Sequence, residues 1–170
     1  MKKFFVAVVA LLAVMSISSF AQSTNQATAS ADAKIVAGIS LTKVNDLKFG
    51  QIVRSATAGT VSIDAASGTR SANGGVTLGL ADGAQAAEFS VAGEPAYNFA
   101  ITLPKLVTLT KNGSTETMDV ENFTSTLTND AGTLDSRGEA SFNVGAEISV
   151  GANQATGVYQ GDFTITAAYN

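Results

Sequence analysis

The sequence predicts an all-β fold, an antiparallel β-sandwich in a single domain, on three observations. Apolar and polar residues alternate over long runs, the pattern of a half-buried strand whose side chains change face at every residue. The clearest run sets Ala140, Phe142, Val144, Ala146, Ile148 and Val150 against Glu139, Ser141, Asn143, Glu147 and Ser149. Turn residues recur between such runs, giving about nine strands at intervals of about 8–12 residues, a spacing that points to a sandwich, with a closed barrel as the alternative. Helical periodicity is missing; only residues 80–87 could support a single helical turn.

Taken in order, the chain opens on Lys2 and Lys3, an apolar stretch over residues 4–14, and Ser19-Phe20-Ala21. That is the layout of a secretory signal peptide over residues 1–21, with cleavage expected between Ala21 and Gln22. The apolar stretch is short of the roughly 20 residues a membrane span needs. An exported, soluble protein without membrane insertion is therefore expected. Residues 22–33 are small and polar, yet Ala27, Ala29, Ala31 and Ala33 begin a period-two row that Ile35, Ala37, Ile39 and Leu41 continue. The row is longer than a typical strand of about 5–6 residues. It divides into an N-terminal arm and a first strand over residues 34–42, where the sandwich domain (34–170) begins. The arm reads either as a flexible tail or as a strand, carried by Ala27, Ala29, Ala31, Ala33 and Ile35, that pairs with a neighbouring molecule.

Further strands are expected at residues 47–52, with Gly50 as a bend or bulge, at 59–63, at 76–78 after the turn Asn73-Gly74-Gly75, and at 87–91. Tyr97, Phe99, Ile101 and Leu103 alternate up to Pro104. Residues 106–110 and 115–120 flank Asn112-Gly113, a strong hairpin signal. A looser segment over 124–137 leads to the run 140–150 and to a last run over 157–170, the two forming a hairpin or a crossing pair.

Composition limits the chemistry. The chain contains no His and no Cys, so the commonest general base, the commonest metal ligand and the thiolate nucleophile are all missing. Without cysteine, an exported domain rests on its core alone. The formal charge is −4, and removal of Lys2 and Lys3 with the leader makes the mature chain more acidic, which disfavours nucleic acid as a partner. The glycines around Asn73-Gly74-Gly75 precede strand-like sequence, whereas a nucleotide loop must open a helix, so they read as turn residues. Glu116, Asp119 and Glu121 lack the spaced aspartates and glycine of a calcium loop and read as a solvated strand face. Carboxylate pairs for glycoside hydrolysis come without an aromatic platform, and serine catalysis lacks its histidine. Asn112-Gly113-Ser114 and Asn122-Phe123-Thr124 match the glycosylation pattern. No enzymatic activity and no cofactor are expected.

The last run puts Tyr159, Gly161, Phe163, Ile165, Ala167 and Tyr169 on one face, with Gly157 fourteenth and Tyr169 second from the end. This resembles the C-terminal pattern of pilins of the chaperone–usher pathway. A wider series is similar to the bacterial family called domain of unknown function 4402. It comprises Leu47-x-Phe49-Gly50-x-Ile52, Gly59-Thr60-Val61, Arg70, Gly74-Gly75-Val76, Ala87-x-Phe89-x-Val91-x-Gly93, Ile101-x-Leu103-Pro104, Val144-Gly145-Ala146 and Gly157-x-Tyr159-x-Gly161-x-Phe163-x-Ile165. The resemblance implies a secreted immunoglobulin-like sandwich related to pilins and a fimbrial or cell-surface subunit joined by strand complementation, with a periplasmic chaperone and like subunits as partners. Gly157, Tyr159, Gly161, Phe163, Ile165 and Tyr169 are then the expected interface, and the alanine arm the expected donor strand. The alternative is a self-complete monomer that binds a glycan or surface ligand through the connections 67–75 and 124–138.

Overall fold

The computed structural model describes residues 25–170; the leader and its cleavage position lie outside them. Residues Ile35–Asn170 form one compact unit. The described residues are all β, in thirteen strands: β1 (Ser40–Asn45), β2 (Ile52–Val53), β3 (Gly59–Ile63), β4 (Arg70–Gly74), β5 (Thr77–Leu78), β6 (Ala87–Ala92), β7 (Asn98–Thr102), β8 (Leu106–Lys111), β9 (Thr117–Ser125), β10 (Ala131–Thr133), β11 (Glu139–Val150), β12 (Tyr159–Gln160) and β13 (Thr166–Tyr169). All pairings are antiparallel.

The fold is a β-sandwich whose larger sheet curls. That sheet runs β1-β6-β11-β9-β8-β12, with β3 and β4 branching from β11; a smaller sheet runs β10-β7-β13, and β2-β5 form a ribbon. The 12-residue β11 is the spine. One of its sides pairs first with β6 and then with β3, while the other side pairs with β9. Its alternating apolar row therefore feeds two clusters. Phe142 and Val144 join Phe89, Val91, Phe99, Ile101, Leu134 and Ile165, whereas Ala146, Ile148 and Val150 join Val61, Val76 and Val120. Leu47 and Phe123 pack against both. Among the described residues the buried side chains are all apolar, and no helix is long and apolar enough to cross a membrane.

Three expectations need correction. The first strand starts at Ser40 rather than Lys34, and Ile35 is 94% exposed. The backbone of Ala37 is held by side chains instead of a ladder. The strand expected over 47–52 shrinks to β2, because Gly50 takes a φ of 67° and turns the chain away. Residues 70–74, where no strand is expected and Asn73 and Gly74 read as turn residues, are strand β4 paired with β3. Of the two arrangements expected for the last two runs, the hairpin is not formed: β11 pairs with β3, β6 and β9, and the C-terminal run pairs with β8 and β7. The Asn112-Gly113 hairpin is present, with Thr110 opposite Thr117.

Candidate functional site

The C-terminal run is extended with alternating burial, as its sequence predicts, but it is a bent strand shared by two sheets. Tyr159 and Gln160 pair with Lys111 and Thr110 of β8, and residues 166–169 pair with residues 102–99 of β7. Between the two ladders the run takes six steps while β8 and β7 take eight, so the register slips by two across the corner at Pro104. Residues 161–165 lie in no strand and have no backbone–backbone hydrogen bond. Both β12 and β13 stand at the ends of their sheets. At 159–160 and 166–169, then, the chain is paired on one side only, and between them it is paired on neither.

The expected interface residues turn toward their own domain. Ile165 is buried in the core, and Phe163 packs its ring on Phe123 and Phe89 at centroid distances of 5.4 and 6.3 Å. The Tyr159 hydroxyl donates to the Ala155 carbonyl at 2.8 Å and sits 2.9 Å from Gln154 Nε2. A Cβ on Gly161 would lie 2.8 Å from the Thr108 carbonyl oxygen, and one on Gly157 would lie 2.7 Å from the Lys111 stem. These glycines allow close approach to β8 of the same chain. Tyr169 is half-buried at the end of β13, edge-on to Tyr97 at 5.5 Å.

Across from this edge stands β1, itself unpaired on the side away from β6. The Tyr169 hydroxyl meets Ala37. The Lys43 ammonium is held above its ordinary pKa by its bond to Asp46 first, with the charge of Asp162 adding. The bond from Tyr169 to Ala37 and the approach of β1 to β13 set this first stretch of the domain beside the end of the C-terminal run. Yet no ladder joins them, although β1 and β13 come within 8 Å, Cα to Cα. Along this seam Ile39, Leu41, Phe163 and Ala167 pack on the core and remain only half-buried. Residues 25–34, with Ala27, Ala29, Ala31 and Ala33, are exposed and form no strand.

The connections expected to bind a ligand are mostly structured. Residues 67–75 contain β4, and residues 124–138 contain the end of β9 and all of β10. In the latter, Asp135 accepts from the backbone N–H groups of Glu139 and Arg137 at 2.9 and 2.8 Å, and from the Arg137 guanidinium. Those bonds hold its carboxyl below the ordinary value, so the loop uses its own charge to fix its shape. Asp64 does the same for the β3–β4 turn, accepting from the Ser67 hydroxyl and backbone N–H. A shallow cleft of about 520 Å³ opens at the β7–β8 corner between Leu103, Pro104, Lys105, Phe123 and Asp130. Among the described residues no group of three acidic, His or Cys side chains is placed to hold a metal ion.

Fold and edge together define a β-sandwich domain with a one-sided C-terminal strand. The chain belongs to the family described as Domain of unknown function (DUF4402), whose model matches residues 39–169. Neither a curated protein nor a solved structure matches it.

Proposed function

We propose that this chain is an exported, non-enzymatic structural subunit of a pilus, fimbria or other cell-surface assembly, related to chaperone–usher pilins and supporting adhesion. Subunits join by β-strand complementation. A strand from a neighbouring copy lies along the free side of residues 159–169 and covers the half-buried row of Phe163, Ala167, Ile39 and Leu41. The donor is the arm, whose Ala27, Ala29, Ala31, Ala33 and Ile35 share one face of an extended chain. A periplasmic chaperone covers the same edge in transit. An open edge that aggregates unless filled is a liability in a finished domain and a joint in an unfinished one.

The observation that carries this reading is the one-sided pairing of the C-terminal run across both sheets. The rival is a self-complete secreted monomer that binds a glycan or surface ligand through its loops; the close approach of β1 to β13 speaks for it. Material sheared from the surface of the native host separates the two on a denaturing gel, loaded with and without boiling. Strand-exchanged polymers give a ladder that collapses on boiling, and deletion of residues 22–33 leaves only folded monomer. A single monomer band in both lanes overturns the assembly reading in favour of the rival.

A further inference from the structure

Ala37 lies outside the ladders, and side chains hold both of its backbone groups. Its N–H donates to Glu94 Oε2 at 3.1 Å, and its carbonyl accepts from the Tyr169 hydroxyl at 2.8 Å. The same hydroxyl accepts from the Glu94 backbone N–H at 2.7 Å. Gly93 makes room for the phenol, since a Cβ there would come within 2.2 Å of the Tyr169 hydroxyl oxygen. One side chain therefore ties the entering chain, the β6–β7 loop and the end of β13 into a single knot.

The knot lies across the mouth of the seam. A strand inserted between two others needs two ladder spacings, about 9.6 Å in all, whereas β1 and β13 already come within 8 Å. As it stands, this end of the seam has no room for another strand. The segment that closes it is weakly held. Ile35 is 94% exposed and Ala37 and Gly38 are exposed too, so apart from the partial cover of Val36 and the packing of Ile39 on the core, the segment is held through the bonds at Ala37. Segments with few apolar contacts and exposed hydrogen bonds open at low cost.

We propose that Tyr169 and Glu94 form a latch on Ala37 that closes the free subunit to incoming strands, and that release of residues 35–39 is the step that admits one. This inference rests on the assembly reading above. It gives the penultimate tyrosine a gating role in its own subunit, beyond any contact with a partner. It also couples the two ends of the chain, because lifting residues 35–39 opens the acceptor edge and lengthens the donor arm in one movement.

The test uses the full mature chain, a fluorescent peptide of residues 25–39, and anisotropy to follow uptake. Amide hydrogen exchange at residues 36–39 is measured in parallel. Tyr169→Phe keeps the ring and loses the hydroxyl, and Glu94→Ala loses the carboxylate while leaving the tyrosine in its socket. Both take up peptide on the order of tenfold faster than the parent chain, as expected when one or two net hydrogen bonds are lost, and both exchange faster at Ala37. Glu94→Gln, which keeps an accepting oxygen, behaves like the parent. If Tyr169→Phe fails to fold, Glu94→Ala carries the test alone. Equal uptake by parent and variants overturns the latch and leaves strand complementation standing. No uptake by any of the proteins overturns the assembly reading and the latch with it.

Discussion

Arg70 shows how one side chain can organise a region that has little regular structure. Its Nη1 donates to the carbonyls of Phe49 and Gln51 at 3.0 and 3.1 Å, and its Nη2 to that of Gly79 at 3.0 Å. Residues 49–51 are where Gly50, at a φ of 67°, breaks the expected second strand. The guanidinium supplies the donors that a ladder would otherwise provide. Replacing Arg70 by Ala leaves the partly buried carbonyls of Phe49 and Gly79 short of a donor, while that of Gln51 keeps the Gly79 N–H, and should cost about 2–3 kcal/mol. The check is a urea titration in which the midpoint falls while the slope is unchanged. Arg70→Lys should recover less than half, since one ammonium cannot span the fork. An unmoved midpoint in Arg70→Ala would mean that water serves the carbonyls equally well. In the sequence Arg70 stood out only as a member of a family series. Its acceptors come from segments that folding alone brings together, and no local pattern announces them.

At the scale of elements, β11 decides the architecture. Its partner changes from β6, ending at Val144 opposite Ala87, to β3, starting at Ala146 opposite Ile63. Gly145 sits at the switch, where a Cβ would lie 2.1 Å from the Ile63 carbonyl oxygen and 2.7 Å from the Ala65 nitrogen. Backbone atoms cannot swing aside as a flexible side chain can, so Gly145→Ala must separate β3 from β11. A loss of about 3 kcal/mol is expected, read as a lower thermal midpoint. Retained stability would show that the branch flexes. The alternation of β11 was fully legible from residues 140–150, because a strand buried on one face records that face in its own residues. Its partners were not, since period-two patterning says which side is buried and never against what. The same limit explains the C-terminal run: its inner row was legible, but its bend between sheets was not. Strands β2, β5, β10 and β12 have only two or three residues each, too few for any period, which is why about nine expected strands became thirteen.

Across the whole molecule, the core is two clusters bridged by Leu47 and Phe123, with a seam between β1 and the C-terminal run at its margin. No ladder bridges that seam, and among the described residues the arm over 25–34 takes part in no strand. The alternation of residues 157–169 was legible in the sequence, whereas the alanine row of the arm left open whether it pairs, and it forms no strand in this chain alone. The residues of that row also set how firmly it can hold. An alanine contributes a single methyl to a neighbour's core, so a donor strand seated through Ala27, Ala29, Ala31 and Ala33 relies on backbone pairing and on Ile35. Ala29→Val and Ala31→Val each add two carbons to the buried row, about 1.6 kcal/mol at roughly 0.8 kcal/mol per buried CH₂. If the arm is the donor, each change should lengthen the life of the multimer about tenfold. The measurement is the fraction of ladder that survives a series of denaturant steps before electrophoresis. A ladder equally labile in parent and variants would exclude the arm from the joint, even with strand exchange intact, and would direct the search for the donor to β1. The outcome thus decides which segment of one subunit completes the next.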